Sequence, residues 1–361
     1  MKRILSFFIS SLLVSVSPLL AGPGDPRPLN YQPDGTSFLV ENGSHRFNRP
    51  LYAGNTGFRA EAGDKPEFAL FLPGRGGNLR LGLIPADAAQ APLWLHDARS
   101  ITARYQPGSM IYQVRDPLLG DAGLSVTAIP AAGAEGMLFQ VKSTGSHPAL
   151  KLVWAYGGGD GQPGHRNGDL NAEREPLDRY FTFRPEHAQK HRFHLQSYGF
   201  SLPMPKGTLL GLLPSGARAT LADAAKWNGG PRELLGSATD APAAPVAVGE
   251  IPLVSGKPVV LGLHFVRPKQ NPTLRAADLP RAFEEAETFR LSLTRRLEVE
   301  TPDPFLNAAA AAIPVAADAI WDESQAAYMH GAVGWRVRLF GWRAAYAGDA
   351  LGWHDRTRKH L

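Results

Sequence analysis

The densest set of chemistry-bearing side chains lies in one stretch, "HGAVGWRVRLFGWRAAYAGDALGWHDR", His330 to Arg356. It gathers Trp335, Arg336, Trp342, Arg343, Tyr346, Asp349, Trp353, His354, Asp355 and Arg356. Flat indole faces can cover the apolar side of a pyranose or furanose ring, while guanidinium and carboxylate groups fork onto hydroxyls. A hydroxyl-rich ligand needs both, because a polar group buried without a partner costs free energy. Trp335, Arg336, Trp342, Arg343 and Asp355 are of the types that could serve as substrate-binding residues, though their spacing alone does not decide it. The same residues also suit a plainer role, with Trp335 and Trp342 in the core of a helical hairpin and Arg343 paired to Asp349 or Asp355.

A second candidate is the irregular stretch "AYGGGDGQPGHRNGDLNAEREPLD". Gly157 to Gly159 allow sharp turns, and Asp160, Arg166, Asn167 and Asp169 present polar groups. Arg166 and Asp169 are candidate ligand contacts; alternatively, the Asp and Asn side chains satisfy their own backbone, as in many surface loops. The calcium-loop order D-x-[DN]-x-[DN]-G is absent. His187, His191 and His194 would share one face on a helix, but "RFHLQS" reads as a strand that separates them. No acid supports them from behind, so they read as a solvated turn, and no metal ligand is assigned. "LPGRGGN", Leu72 to Asn78, lacks the Lys-Ser ending of a phosphate loop and reads as a turn between strands. There is no G-x-S-x-G elbow, and with no cysteine there is no thiol nucleophile, disulfide or lipid-anchored N-terminus. No cofactor is indicated.

These groups must be positioned by a chain of 361 residues. "MKRILSFFISSLLVSVSPLLAG" has positive Lys2 and Arg3, an apolar core from Ile4 to Val16, Pro18, and small Ala21. That is an export signal over residues 1–21, so a periplasmic or secreted protein is expected, with no membrane attachment once the signal is cleaved. Losing Lys2 and Arg3 lowers the formal charge from +5 to +3. The remaining lysines and arginines form no stripe, which argues against a nucleic-acid partner.

Residues 22–275 read as short strands bounded by Gly, Pro, Asn or Asp: "FALFLP", "NLRLGLI", "APLWLHD", "LSVTAIP", "MLFQVKST", "LKLVWAY", "YFTFRP", "TLLGLLP" and "KPVVLGLHFV". "ITARYQPGSMIYQV" has two alternating arms around Pro-Gly-Ser and predicts a hairpin. "SATDAPAAPVAVG" reads as a surface loop. The pattern predicts a large antiparallel β-sandwich, mainly β with a helical C-terminal tail. From residue 276 the period changes. "DLPRAFEEAETFRLSLTRRLEVE" has Asp278 as cap, Pro280 in the first turn and Arg295 and Arg296 late, with Phe283, Ala286, Phe289 and Leu293 on one buried face. This is a linker helix over residues 276–300. Alanine-rich "FLNAAAAAIPVAADAIWDE" then predicts a second helix, kinked or interrupted at Pro314.

The order sandwich, linker helix, "TPDP-x-LN" (Thr301, Pro302, Asp303, Pro304, Leu306, Asn307) and alanine-rich helix resembles the six-hairpin glycosidase superfamily. The stretch Asn48 to Leu83 is similar to the front of an uncharacterised bacterial branch of it. The resemblance implies a super-sandwich followed by the first hairpin of an (α/α)6 toroid, and an oligo- or polysaccharide as ligand. It implies hydrolysis of a glycosidic bond by two carboxylates, one acting as acid and one as base or nucleophile. A toroid of that kind needs about 300 residues. Residues 301–361 supply only its start, so the isolated chain is expected to be inactive, unless a second chain completes the barrel. Asp318, Asp322, Glu323, Asp349 and Asp355 are available acids, but none forms a pair on facing elements, and no catalytic residue is assigned. A carbohydrate-binding module without catalysis is the alternative. In an unfinished barrel, Trp335, Trp342 and Trp353 are expected to lack packing partners.

Overall fold

The hairpin expected at "ITARYQPGSMIYQV" forms as Ser100–Gln106 against Ser109–Arg115, with Gln106 opposite Ser109. Its two-residue turn works because Gly108 takes a left-handed φ of 86° that other residues resist. Alternation then sends Ile101, Ala103, Met110, Tyr112 and Val114 to one buried face. The computed structural model describes residues 30–164, 177–332, 336–339 and 345–361. The signal reading at residues 1–21 lies outside these, as do Arg166, Asp169, Trp335, Trp342 and Arg343.

This hairpin belongs to a ten-stranded antiparallel sheet. Its spatial order is Gln32–Asp34, Ser37–Glu41, Ser100–Gln106, Ser109–Arg115, Gly123–Pro130, Gly136–Thr144, Val259–Val266, Gly207–Leu212, Gly199–Met204 and His194–Gln196. The facing eight-stranded sheet runs Thr220–Asp223, Pro245–Leu253, Leu150–Gly157, Arg75–Pro85, Glu67–Phe71, Arg59–Ala62 and Arg49–Tyr52, with the short strand Leu93–Trp94 beside Arg75–Pro85. Inward residues of both sheets make one core. Phe68 of the eight-stranded sheet meets Phe139 and Tyr112 of the other at ring distances of 4.7 and 5.9 Å. Trp154 stacks on Phe200 at 6.0 Å in the same layer. The sandwich expected from the strand pattern is therefore present.

Both outer faces are covered. Short helices α1 (Leu177–Phe181) and α2 (Pro231–Gly236) lie on the eight-stranded side. There Phe183 stacks on Trp227 at 4.0 Å. Two strand assignments change as a result. "YFTFRP" was expected extended, but Tyr180 and Phe181 end α1, and Phe183 fills that outer cluster. "SATDAPAAPVAVG" was expected as a loop, yet Pro245–Leu253 is a strand paired on both sides, with Val246, Ala247 and Val248 buried. Proline is tolerated at a strand's first residue, and Pro245 occupies that place.

On the ten-stranded side lies α3 (Leu279–Thr294), packing Leu279, Ala282, Phe283 and Ala286 onto Ile129, Leu138 and Val260. The buried stripe continues through Arg290 and Leu293, which leaves Phe289 40% exposed instead of buried as expected. From Ala286 the buried line runs four residues to Arg290 and then three to Leu293, and Phe289, at the alternative step of three, falls beside it. Asp278 makes no capping bond and pairs with Arg281 at 3.2 Å. The next helix, α4 (Pro304–Ala319), does carry its cap: Asp303 Oδ1 accepts from Phe305 N–H at 2.8 Å. It continues through Pro314 without interruption, and Phe305 meets Phe38 at 6.3 Å. A small ribbon, Trp321–Asp322 against Ala327–Tyr328, follows, then α5 (Ala345–Ala350) and α6 (His354–His360). Tyr31–Leu361 pack as a single unit, so sandwich and helical tail share continuous contacts.

Candidate functional site

Where the end of the sandwich meets the ribbon after α4, a cleft of about 920 Å³ opens. One wall is the sandwich, with Arg59, Phe71 and Pro73 from one sheet region and Lys206, His264 and Arg267 from the other. The opposite wall is Asp322, Glu323, Ser324, Gln325, Arg336 and Val337. A sandwich turn holds the walls together. Gly54 and Asn55 adopt left-handed φ values of 70° and 48°. That turn lets Asn55 Nδ2 donate to the Asp318 carbonyl (2.9 Å) and to Asp318 Oδ2 (3.1 Å). The Glu323 N–H in turn donates to the Asn55 carbonyl at 3.0 Å. Asp318 Oδ1 accepts from Arg356 Nη1 at 2.7 Å, and the Arg356 guanidinium lies over both Trp321 and Trp353. Trp353 also receives Arg296 at 5.1 Å, so its expected lack of partners does not hold: arginines flank it.

Each described acid of the cleft is engaged. Glu135 takes a bidentate pair from Arg267 (2.7 and 2.8 Å) and a short hydrogen bond from the Thr56 hydroxyl. Asp322 accepts from Ser324 Oγ at 2.6 Å and from Arg336 at 3.3 Å. Glu323 Oε2 accepts from Trp321 Nε1 at 2.7 Å. His264 is buried, which pushes its imidazole below the usual histidine range. Its Nε2 accepts the Thr273 N–H at 3.2 Å and its Nδ1 faces the Glu135 carbonyl at 3.2 Å, a pattern that suits the neutral ring with the proton on Nδ1. Among the described residues there is no group of His and acidic side chains arranged to hold a metal ion.

Behind the Arg59 wall lies a buried pair. Arg59 Nε bonds Glu61 Oε1, and the guanidinium sits 4.1 Å from the Phe71 ring centre. Burial pushes the Glu61 carboxyl up, against the pull of Arg59. Arg336 is also buried enough to be pushed down, with Asp322 opposing that shift.

Of the candidate residues read from sequence, Arg336 does border the cleft. Its guanidinium is spent on the chain itself, donating to the Ala319 and Trp321 carbonyls at 2.8 and 2.9 Å. Asp355 lies elsewhere, in the first turn of α6, as an exposed pair with Arg358. Asp160 is tied to Arg75 at 2.6 Å and is structural. His187 lies in a short 3-10 helix and His194 in a strand, so the three share no helix face, but His191 is buried, not solvated as expected. Sequence reasoning missed Arg59, Glu135, Lys206 and Arg267. Arg59 and Glu61 alternate with the inward Ala60 and Ala62, so two ionic groups on one face of a buried strand were a visible signal. Glu135 and Arg267 are 132 residues apart and carried none.

A bacterial glucoamylase complexed with acarbose is similar over 88% of this chain and 50% of its own, with a TM-score of 0.54 and 9% identity. The chain thus spans about half the length of that structure, and the likeness is one of fold. A chain named "Putative kojibiose phosphorylase from human microbiome" matches over 77% of this chain and 38% of its own, with a TM-score of 0.35 and 11% identity. No curated protein matches the sequence. The family model "Domain of unknown function (DUF4450)" matches residues 72–287, more than half of the chain, and the chain belongs to that family. What the likeness to the glucoamylase adds to that family membership is the fold alone.

Proposed function

We propose that this chain is the sandwich-bearing part of an exported glycoside hydrolase and that its cleft receives part of an oligo- or polysaccharide. The observation that carries the reading is the 920 Å³ cleft shared by the sandwich end and the helical segment, lined by hydrogen-bonding side chains. The glucoamylase-like fold and the leader-like first residues support it. The described acids of the cleft are held by Arg267, Arg336 and Trp321, which favours binding over bond cleavage in this chain alone. Residues 22–361 should retain polysaccharides in affinity electrophoresis while leaving aryl glycosides intact. Clear turnover would refute the assignment of cleavage to further barrel elements. Retention without turnover, even when the rest of a toroid is supplied, would favour the second reading, a non-catalytic carbohydrate-binding module. N-terminal sequencing of the protein from its host tests the export reading; an intact Met1 on the mature protein would refute it.

A further inference from the structure

Arg59 is 1% exposed yet borders the cleft, and its guanidinium is incompletely used. Nε is spent on Glu61, whereas Nη2 is buried without any hydrogen-bond partner. Leaving such a donor unmet is costly, so native structures rarely keep one idle. Its counter-ion is weak, because full burial disfavours the charged form of Glu61. Arg59 faces Phe71 across the strand pair, and Pro73 follows two residues later. The Pro73 carbonyl accepts from Lys206 Nζ at 3.2 Å, which brings a second cation to the same wall. Among the described residues Lys206 makes no ion pair. The other basic groups of the cleft are neutralised, Arg267 by Glu135 and Arg336 by Asp322. Among the described acids of the cleft, Glu323 on the opposite wall pairs with no described cation and is held by Trp321.

We infer that the cleft selects an anionic glycan, with Arg59 and Lys206 receiving the carboxylate of a uronate unit. This rests on the reading of the cleft as a glycan site. A planar carboxylate matches the fork of a guanidinium, and an ammonium adds a second charge-assisted bond. The described rings at the cleft, Phe71 and Phe265, are only 4% and 2% exposed and offer no stacking platform. Charge, more than stacking, therefore sets the affinity of this wall.

The test is calorimetric titration of residues 22–361 with oligogalacturonate, with a neutral maltooligosaccharide of equal length, and with a sulfated oligosaccharide. The uronate should bind about tenfold or more tighter than the neutral sugar and weaken with salt, as charge-assisted bonds do. Lys206 is on the surface, so Lys206→Glu should fold normally and lower uronate affinity by at least about tenfold through like-charge repulsion. Arg59→Lys keeps the charge but removes the fork, so the ratio of uronate to neutral-sugar affinity should fall, a readout that a general loss of stability would not move. Equal binding of neutral and uronate sugars, indifferent to Lys206→Glu, overturns the anionic selection and leaves the glycan site standing. Equal binding of sulfated and uronate sugars overturns the carboxylate assignment. Absence of all binding removes both readings.

Discussion

Asn55 and Asp318 give the junction of sandwich and helices a quantity that can be measured. Asn55→Gly removes the donations to the Asp318 carbonyl and to Oδ2 at 2.9 and 3.1 Å, while tolerating the left-handed φ of 48°. At about 0.5–1.5 kcal/mol for each bond, its expected cost is about 1–3 kcal/mol. Asn55→Ala removes the same bonds and, unlike glycine, keeps a Cβ in the left-handed region, so it should be worse than Asn55→Gly by about 1–2 kcal/mol. Asp318 is 8% exposed, and Asp318→Ala strips Arg356 of its carboxylate partner. Because that arginine's side chain is 22% exposed, water recovers part of the loss, and about 2–4 kcal/mol is expected. Only the bond to Oδ2 is common to both substitutions, since the bond to the backbone carbonyl survives Asp318→Ala. The double-mutant cycle should therefore show a coupling of about 0.5–1.5 kcal/mol, not the full cost of either change. Urea denaturation of the four proteins measures it. Additivity within about 0.3 kcal/mol, or Asn55→Gly worse than Asn55→Ala, would show that this turn does not hold the walls together as argued.

Phe68→Ala should cost about 3–5 kcal/mol in the same assay, because this fully buried ring joins the two sheets through Phe139 and Tyr112. Gly348→Ala places a Cβ 2.1 Å from Tyr328 Oη and 2.7 Å from Thr357 Oγ1, so α5 should lift from the ribbon. Limited proteolysis should then cut first within residues 345–361, at a stability cost of about 1–3 kcal/mol. Burial pushes His191 down to about 4 from 6.5, so the folded state favours its neutral form. The resulting stability is complete above pH 6.5 and lost as pH falls through 4, roughly 1–3 kcal/mol in all. His191→Gln should flatten the pH dependence of urea midpoints in that interval, and an unchanged slope would refute the assignment.

The strands were legible where apolar and polar residues alternate, as in "ITARYQPGSMIYQV", because that period answers to a one-sided core. Pro245–Leu253 was hidden: it is covered on both faces, so its alternation vanishes, and its leading prolines and alanines look like a loop. Helix α3 was legible, but its cap and one of its buried positions were not. Asp278 answers to Arg281, and the sheet beneath chooses Arg290 over Phe289. The cleft was least visible, since Arg59, Glu135, Lys206 and Arg267 meet only after strands distant in the chain pair. The C-terminal Trp and Arg residues read as one cluster because they are adjacent in sequence. Arg336 borders the cleft, whereas Asp355 faces solvent with Arg358 and Trp353 lies between two arginines.

The placing of Val259–Val266 between Gly136–Thr144 and Gly207–Leu212 has a kinetic price. Until that segment arrives, the larger layer exists as two separate pieces whose open borders cannot complete their backbone bonding. Synthesis proceeds from the N-terminus, so the joining piece comes after every other strand of that layer. The nascent polypeptide must therefore wait with adhesive margins exposed, and its closure, built on distant pairings, belongs to the milliseconds-to-seconds class. High-level production should reward slow growth and holdase chaperones more than any gain in final stability.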